Sequence, residues 1–230
     1  MNRTTTGWRH LLFASLALSA AMAFAELGYT TRVGPNLVTR MEQRFGPAAR
    51  GYMNRWVGFG KEQRTPPMTD RLQAARGREA EALQVVNVWF NRIRFVDDSA
   101  HWNMIDYWAT PAEMVASNGG DCEDFAIAKY FLLKELGVPI ERLRITYVRS
   151  LRLNQAHMVL AYYPTPDAEP LILDNLENRI RPASERSDLD PVYSFNDDEV
   201  RMVQGDRRSQ PSQIRAWRSL LDRLAAEASL

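Results

Sequence analysis

The 230-residue sequence contains one cysteine, Cys122, so it cannot form an intramolecular disulfide. Three histidines leave few candidate bases, and 29 basic against 28 acidic residues give no indication of a nucleic-acid partner. No repeat or low-complexity tract is visible. Outside one run near the N-terminus, no apolar segment approaches the roughly 20 residues that span a bilayer. These absences favour a globular protein without a disulfide framework.

The N-terminal segment has the pattern of a secretory signal peptide. Two arginines, Arg3 and Arg9, precede an apolar run over residues 11–25 that ends in Ala-Phe-Ala. This run is short for an uncleaved anchor. We expect cleavage after Ala25, export from the cytoplasm and a single soluble domain over residues 26–230. Without the two arginines, 27 basic and 28 acidic residues give a net charge of −1.

Helical patterns fill the first part of the mature chain. A helix is predicted around Pro35 to Phe45, and a longer one from Thr69, because apolar residues recur there at three- and four-residue spacing. Those residues are Leu83, Val86, Phe90 and Ile93. A short helix is predicted to start at Thr110, with Pro111 at the first helical position and Glu113 as the capping partner. The sequence Asn118-Gly119-Gly120 should end it, because glycine adopts positive φ.

The segment from Cys122 to Leu136 is apolar around most of its helical circumference and predicts a buried helix closed by Gly137 and Pro139. Short β-branched and aromatic segments follow and predict strands. They are Ile145–Val148, His157–Tyr163 and Leu171–Asp174. A helix near Asn196, capped by Glu199, and an amphipathic C-terminal helix complete the prediction; the latter carries Ile214, Trp217, Leu220, Leu221 and Leu224. Helices flanking adjacent strands favour an α+β fold with an antiparallel sheet.

Cys122 is predicted at the N-terminus of the buried helix, where free N–H groups and the helix dipole stabilise a thiolate. A lone cysteine is most often an inert buried thiol, so its reactivity depends on a nearby base. His101 lies in a polar stretch and is interpreted as a solvated loop residue. His157 opens a strand and is the better candidate.

Spacing predicts an acidic partner for His157. If residues 164–167 form a four-residue turn, the antiparallel register places Asp174 directly opposite His157, with both side chains on one face. Cys122, His157 and Asp174 would then form the nucleophile, base and orienting acid of acyl-transfer chemistry. A one-residue shift would remove Asp174 from that face, and a His–Asp pair alone is often only structural.

Three segments carry a family resemblance: residues 118–126 (NGGDCEDFA), 156–160 (AHMVL) and 173–175 (LDN). With Trp108 and the signal-like N-terminus, they resemble the bacterial transglutaminase-like cysteine proteinases of the LapG type, over essentially the whole mature chain.

The resemblance implies a papain-like, transglutaminase-like core in which Cys122 attacks, His157 is the base and Asp174 orients it. It further implies cleavage of a large LapA-like biofilm adhesin near its N-terminus at a di-alanine site. A LapD-like cyclic-di-GMP receptor of the inner membrane would hold the enzyme inactive through its periplasmic domain.

Calcium dependence is also implied, with Asp121, Glu123 and Asp124 as ligands beside the nucleophile. Without a cation, three carboxylates would raise the thiol pKa, whereas a bound divalent ion would offset their charge. From the residues alone, the acids are better explained as groups that satisfy the helix dipole, because three carboxylates are fewer than the roughly 6 to 8 oxygens that calcium takes. The Asp97-Asp98 and Asn196–Asp198 stretches could contribute ligands but are better interpreted as solvated loops.

An oxyanion hole would use the Cys122 N–H as first donor. The indole of Trp108 is a candidate second donor, although it could be a wall of the cleft.

Four interpretations of the function stay open at this point. The main one is an endopeptidase. A transglutaminase-type acyl transferase would use the same triad with an amine as second nucleophile. The other two are a non-catalytic binding module of the same fold and a calcium-binding structural domain with an inert Cys122. Neither of these would use the triad for catalysis.

Overall fold

The computed structural model describes residues 33–64, 75–202 and 208–230. The N-terminal signal-like segment, the cleavage point after Ala25 and the predicted helix start at Thr69 lie outside these residues. The helices are α1 (Pro35–Phe45), α2 (Ala48–Arg64), α3 (Ala75–Phe90), α4 (Asp98–His101), α5 (Pro111–Ser117), α6 (Cys122–Glu135) and α7 (Arg215–Ala228). Within the described ranges, none of the helices is both long and apolar enough to cross a bilayer.

A seven-stranded antiparallel sheet occupies the second half of the chain. The strands are β3 (Leu143–Ser150), β4 (Gln155–Tyr162), β5 (Leu171–Leu173), β6 (Arg181–Pro182), β7 (Leu189–Phe195), β8 (Val200–Met202) and β9 (Arg208–Ser209). Their spatial order in the sheet is β6-β5-β4-β3-β7-β8-β9. Two further strands, β1 (Arg94–Phe95) and β2 (Gly119–Gly120), pair in parallel apart from this sheet. The predicted α+β class with an antiparallel sheet is confirmed.

Helix α6 lies at the centre of the hydrophobic core. Its apolar residues pack with the inward side chains of β3 and β4 and with residues from α3 and α7. Lys134 near its end is followed by Gly137, which takes φ of 89° and closes the helix as predicted. Because α6 is fixed along most of its length by this core, its first residue, Cys122, is held in one position.

Three local predictions need correction. A second N-terminal helix, α2, follows α1, although Gly51 and Gly58 made it hard to recognise. The capping box of α5 forms as predicted, but Asn118 rather than a glycine takes the left-handed conformation at its end, with φ of 51°. No helix starts at Asn196. Its side chain instead accepts hydrogen bonds from the backbone of Asp198 and Glu199, and these close the turn between β7 and β8.

The predicted register between β4 and β5 is wrong by two residues. Leu160 pairs with Leu173, whereas the four-residue turn would have paired it with Leu171. The connection is longer because Pro170 lacks the N–H that a ladder position needs, so pairing begins only at Leu171. Since side chains alternate with a period of two, a two-residue shift leaves His157 and Asp174 on the same side.

Candidate active site

Cys122 is the first residue of α6, preceded by Asp121 as N-cap. Its half-buried thiol donates a hydrogen bond to Glu123 Oε2 at 3.1 Å and is also hydrogen-bonded by the backbone of Met158. Burial, and after it the charges of Glu123 and Asp121, raise the pKa of the Cys122 thiol well above its ordinary value. In the protein alone, therefore, the thiol is held protonated.

His157 lies near the start of β4, next to Met158, and is 3% exposed. Its Nε2 is 2.9 Å from Asp174 Oδ1, which leaves Nδ1 as the ring nitrogen not engaged by the aspartate. Because the backbone of Met158 reaches the Cys122 thiol, the nucleophile candidate and the base candidate belong to one small region. His157 and Asp174 are thus brought together and Cys122 lies in the same region, and the triad as a whole stays a prediction.

Asp174 is 1% exposed and follows β5. Its Oδ2 accepts a hydrogen bond from Arg186 Nη2 at 2.8 Å, and its Oδ1 accepts one from the Leu176 N–H at 3.0 Å. Burial raises the pKa of Asp174, but the hydrogen bonds and charges of His157, Leu176 and Arg186 outweigh it and hold that pKa well below its ordinary value. Asp174 is consequently an ionised, oriented carboxylate.

Arg186 was not identified from the sequence. It follows a short 3-10 turn over Ala183–Glu185 and also bonds both oxygens of Asp188, at 2.9 Å each. An arginine in a polar loop carries no periodic signal, so only the fold reveals that it supports the triad acid.

A second set of carboxylates surrounds the start of α6. Oxygens of Asp98, Asp121 and Asp124 lie within 4.8 Å of one another, and so do oxygens of Asp98, Asp106 and Glu123. The predicted ligands Asp121, Glu123 and Asp124 are all present in these two groups. Asp98 joins them and is 3% exposed, so its interpretation as a solvated loop residue is wrong.

Strand pairing explains how Asp98 reaches this cluster. Arg94 and Phe95 pair with Gly119 and Gly120, and the Val96 N–H donates to the Gly120 carbonyl at 3.0 Å. The next residues then enter α4, whose first residue is Asp98. Pairing over two residues is too short to be read from periodicity, which is why the sequence did not predict the contact.

The cluster lacks a compensating cation among the described residues. Burial, followed by neighbouring carboxylates, raises the pKa of Asp98 to about 6 and that of Asp121 to about 10. Burial likewise raises the pKa of Asp124 well above its ordinary value. One oxygen each of Asp98 and Asp121 is buried without a hydrogen-bond partner in the described part of the chain. Converging oxygens with repelling charges fit a hard divalent cation.

The two glycines before Cys122 are required by close approaches. A Cβ at Gly119 would lie 2.8 Å from His101 Cε1, and one at Gly120 would lie 2.6 Å from Asp124 Oδ2. His101 is partly buried and its Nε2 is 2.9 Å from Ser117 Oγ, so it is not the solvated loop residue that the sequence suggested. Any side chain at residue 120 would displace a carboxylate of the cluster.

The segment at Trp108 connects the cluster to the core. Trp108 is buried and stacks on Phe195, with ring centroids 5.7 Å apart. The next residue, Ala109, donates its N–H to Asp124 Oδ1 at 2.7 Å. Trp108 therefore serves at least as a packing wall that holds this backbone, and its predicted role as an oxyanion donor stays a prediction.

Comparisons with known proteins agree with this geometry. The family model for bacterial transglutaminase-like cysteine proteinase (BTLCP) matches residues 56–192. No curated protein matches the chain.

Solved structures of Legionella pneumophila LapG are similar to the chain. The EGTA-treated form is 38% identical, with a TM-score of 0.68, over 81% of this chain and 95% of that one. The calcium-bound form is 39% identical, with a TM-score of 0.66, over 81% of this chain and 97% of that one.

Proposed function

The chain belongs to the bacterial transglutaminase-like cysteine proteinases, and we propose that it is a calcium-dependent cysteine endopeptidase with Cys122 as nucleophile, His157 as base and Asp174 as the orienting acid. The observation that carries this proposal is the bond from His157 Nε2 to the ionised, arginine-supported Asp174, beside a strand backbone that reaches the Cys122 thiol. This is the arrangement that acyl-transfer chemistry needs.

The reaction begins with transfer of the Cys122 proton to Nδ1 of His157, while Asp174 holds the imidazole through Nε2. The thiolate attacks the peptide carbonyl, and the tetrahedral intermediate collapses as the imidazolium protonates the leaving amine. Water, deprotonated by His157, then hydrolyses the acyl-enzyme. The first N–H groups of α6, which lack intrahelical acceptors, and the indole of Trp108 are the oxyanion donors we propose.

Calcium is assigned to the acid cluster. Asp98, Asp121, Glu123 and Asp124 would hold it, with Asp106 at the exposed side. When bound, the ion supplies positive charge that offsets these carboxylates. Two observations support the assignment: the orphaned carboxylate oxygens, and the likeness to a protein solved in calcium-bound and EGTA-treated forms. The Glu123 oxygen that now accepts the thiol proton would turn to the ion, and the pKa of Cys122 would fall.

Substrate, location and control are proposed from the likeness to the LapG type. We propose a periplasmic enzyme, exported by a cleaved N-terminal signal, that cuts a large LapA-like adhesin near its N-terminus at a di-alanine site and so promotes biofilm dispersal. A LapD-like cyclic-di-GMP receptor would restrain it. The N-terminal sequence pattern and the similarity to Legionella LapG support these assignments.

The test incubates residues 26–230 with the N-terminal region of a candidate adhesin that contains a di-alanine site, with calcium or with a chelator. Cutting that requires both Cys122 and calcium is expected, and Cys122→Ala should leave no cut band. Cleavage that continues unchanged in the presence of the chelator would mean that the acids cap the helix and do not bind a required calcium ion. A small amine that changes the product would indicate acyl transfer, and a folded protein that never cuts would favour a binding module.

A further inference from the structure

The backbone between Tyr107 and Ala109 contacts the carboxylate cluster at two points. The Tyr107 N–H donates to Asp98 Oδ2, and the Ala109 N–H donates to Asp124 Oδ1 at 2.7 Å. Asp98 and Asp124 are both buried, and their oxygens converge with those of Asp121. The orientation of these two backbone N–H groups therefore determines where two of the proposed calcium ligands lie.

Arg223, on α7, holds the carbonyl that lies between these two N–H groups. Its Nη2 donates to the Trp108 carbonyl. That carbonyl and the Ala109 N–H belong to one peptide unit, and because a peptide unit is planar and trans, the two groups point in opposite directions. One end of the unit is thus bonded to a guanidinium and the other to Asp124, so the peptide plane cannot rotate without breaking both hydrogen bonds.

The same guanidinium also fixes the side chain of Tyr107. The guanidinium carbon of Arg223 lies 4.5 Å from the centroid of the Tyr107 ring, within the range of a cation–π contact. The phenol hydroxyl donates to Glu113 Oε1 at 2.8 Å, and Glu113 Oε2 lies 3.4 Å from Arg223 Nε. Arg223 therefore reaches both ends of the segment, one through the Trp108 carbonyl and the other through the Tyr107 side chain.

Arg223 is itself held in place by its neighbours. Its Nη1 donates to the carbonyl of Ser219 at 3.2 Å and to Ser219 Oγ at 2.9 Å, one turn earlier in α7. The buried carboxylate of Glu113 carries the opposite charge. A planar group with donors in several directions suits these contacts, and a lysine could not make all of them. The contacts favour a role in orienting the backbone over one in supplying charge.

We propose that Arg223 is a positioning residue of the calcium site: it orients the backbone of residues 107–109, whose N–H groups hold Asp98 and Asp124 in place to bind the ion. This inference rests on the proposed function, because it takes these two aspartates as calcium ligands. Arg223 touches neither the ion nor the reacting atoms. It lies beyond residues 56–192, which the family model matches, so the inference adds the C-terminal helix to the parts of the chain that form the site.

Calcium titration calorimetry on the purified protein tests the proposal without a substrate. Arg223→Met keeps an apolar stem over the Tyr107 ring but removes the donors. Its dissociation constant for calcium should therefore rise roughly tenfold, as expected when a hydrogen bond that orients a metal ligand is lost. Arg218→Met is the matched control, because Arg218 is an exposed arginine on the same helix, and its dissociation constant should equal that of the wild type. Equal constants for Arg223→Met and the wild type would overturn the proposal.

Melting temperatures in the presence of a chelator separate positioning from packing. Calcium binds the folded state, so a variant that is less stable but keeps the site intact retains its dissociation constant wherever it is folded. A lower melting temperature of Arg223→Met with an unchanged calcium dissociation constant would make Arg223 only a packing residue and overturn the proposal.

Arg223→Lys is the second variant, since Arg223→Met could fold poorly. Lysine keeps the positive charge but lacks the planar fork, so calcium should still bind more weakly than in the wild type. Wild-type affinity in Arg223→Lys would mean that the charge alone matters, and it would overturn the orienting role.

The wild type distinguishes a failure of this inference from a failure of the proposed function. If the wild type takes up calcium and Arg223→Met takes it up equally well, only the inference fails. If the wild type takes up no calcium, the proposed calcium site is wrong and the inference fails with it. In an active enzyme, Arg223→Met should also shift half-maximal cleavage to a higher calcium concentration, and an unshifted calcium dependence would overturn the inference.

Discussion

Asp174 and Asp124 are both buried aspartates at the active site, yet their surroundings are opposite. Asp174 is met by two cationic or polarised partners, His157 and Arg186, and its pKa is held low against the effect of burial. Asp124 is met by backbone N–H groups and by other carboxylates, and burial raises its pKa. The His157 side of the site is electrostatically complete in the polypeptide, whereas the Cys122 side needs a cation from outside.

The largest loss of activity is expected from a change on the His157 side of the site. Asp174→Asn keeps the shape but removes the charge that orients His157, so kcat/KM for peptide cleavage should fall about a thousandfold or more. The measurement is a steady-state assay at saturating calcium. Asp188→Asn is the control, because Asp188 also binds Arg186 but does not contact His157. Similar losses in both variants would mean that Arg186, rather than the Asp174 charge, is what matters.

A smaller effect, on the calcium dependence of activity, is expected from a change in the carboxylate cluster on the Cys122 side of the site. Asp98→Asn removes one anionic oxygen from the cluster, so the calcium concentration for half-maximal activity should rise roughly tenfold or more, with little change at saturating calcium. A calcium titration of activity measures this. Asp97→Asn is the matched control, because Asp97 is the adjacent aspartate but belongs to neither group of converging carboxylates. An equal response of the two variants would remove Asp98 from the cation site.

The two sides of the site should also differ in how their carboxylates make the stability of the fold depend on pH. In the calcium-free protein the pKa of Asp98 is raised from 3.8 to about 6, so the folded state binds more protons than the unfolded state between these values. Stability from this group is present below about pH 4 and is lost as pH rises towards 6. The lowered pKa of Asp174 acts oppositely, since its stabilisation is complete above pH 3.8 and is lost only on further acidification.

Melting temperatures of the chelator-treated protein from pH 4 to pH 6 test this sign. They should fall as pH rises, less steeply in Asp98→Asn, and calcium should flatten the decline. A rise over this range in the calcium-free protein would contradict the assignment of Asp98 to a repelling, uncompensated cluster.

Local signals in the sequence predicted several elements on both sides of the site. The cap at Thr110, the buried helix from Cys122 and the strand containing His157 depend on neighbouring residues, and each forms as expected. Asp174 was found despite a wrong register, because a two-residue error preserves the face of a strand. These features required only periodicity and capping chemistry.

The remaining features depend on contacts between distant residues. Asp98 enters the acid cluster through a two-residue parallel pairing, and Arg186 reaches Asp174 from an irregular loop. Neither arrangement leaves a periodic pattern.

The smallest expected effect is on the free energy of unfolding of two glycine-to-alanine variants. One variant tests packing at the acid cluster, and the other tests helix propensity in α2. A Cβ at residue 120 would lie 2.6 Å from Asp124 Oδ2 and 2.8 Å from its Cβ, so Gly120→Ala must displace Asp124. We expect a loss of about 1–3 kcal/mol in the free energy of unfolding, together with weaker calcium binding. In Gly58→Ala, nothing lies within 4 Å of the new Cβ in α2, and stability should rise by up to about 1 kcal/mol. Denaturant unfolding with and without calcium measures both variants. If Gly120→Ala were destabilised but kept its calcium affinity, the close approach of Gly120 would serve the fold of the loop and not the cation site.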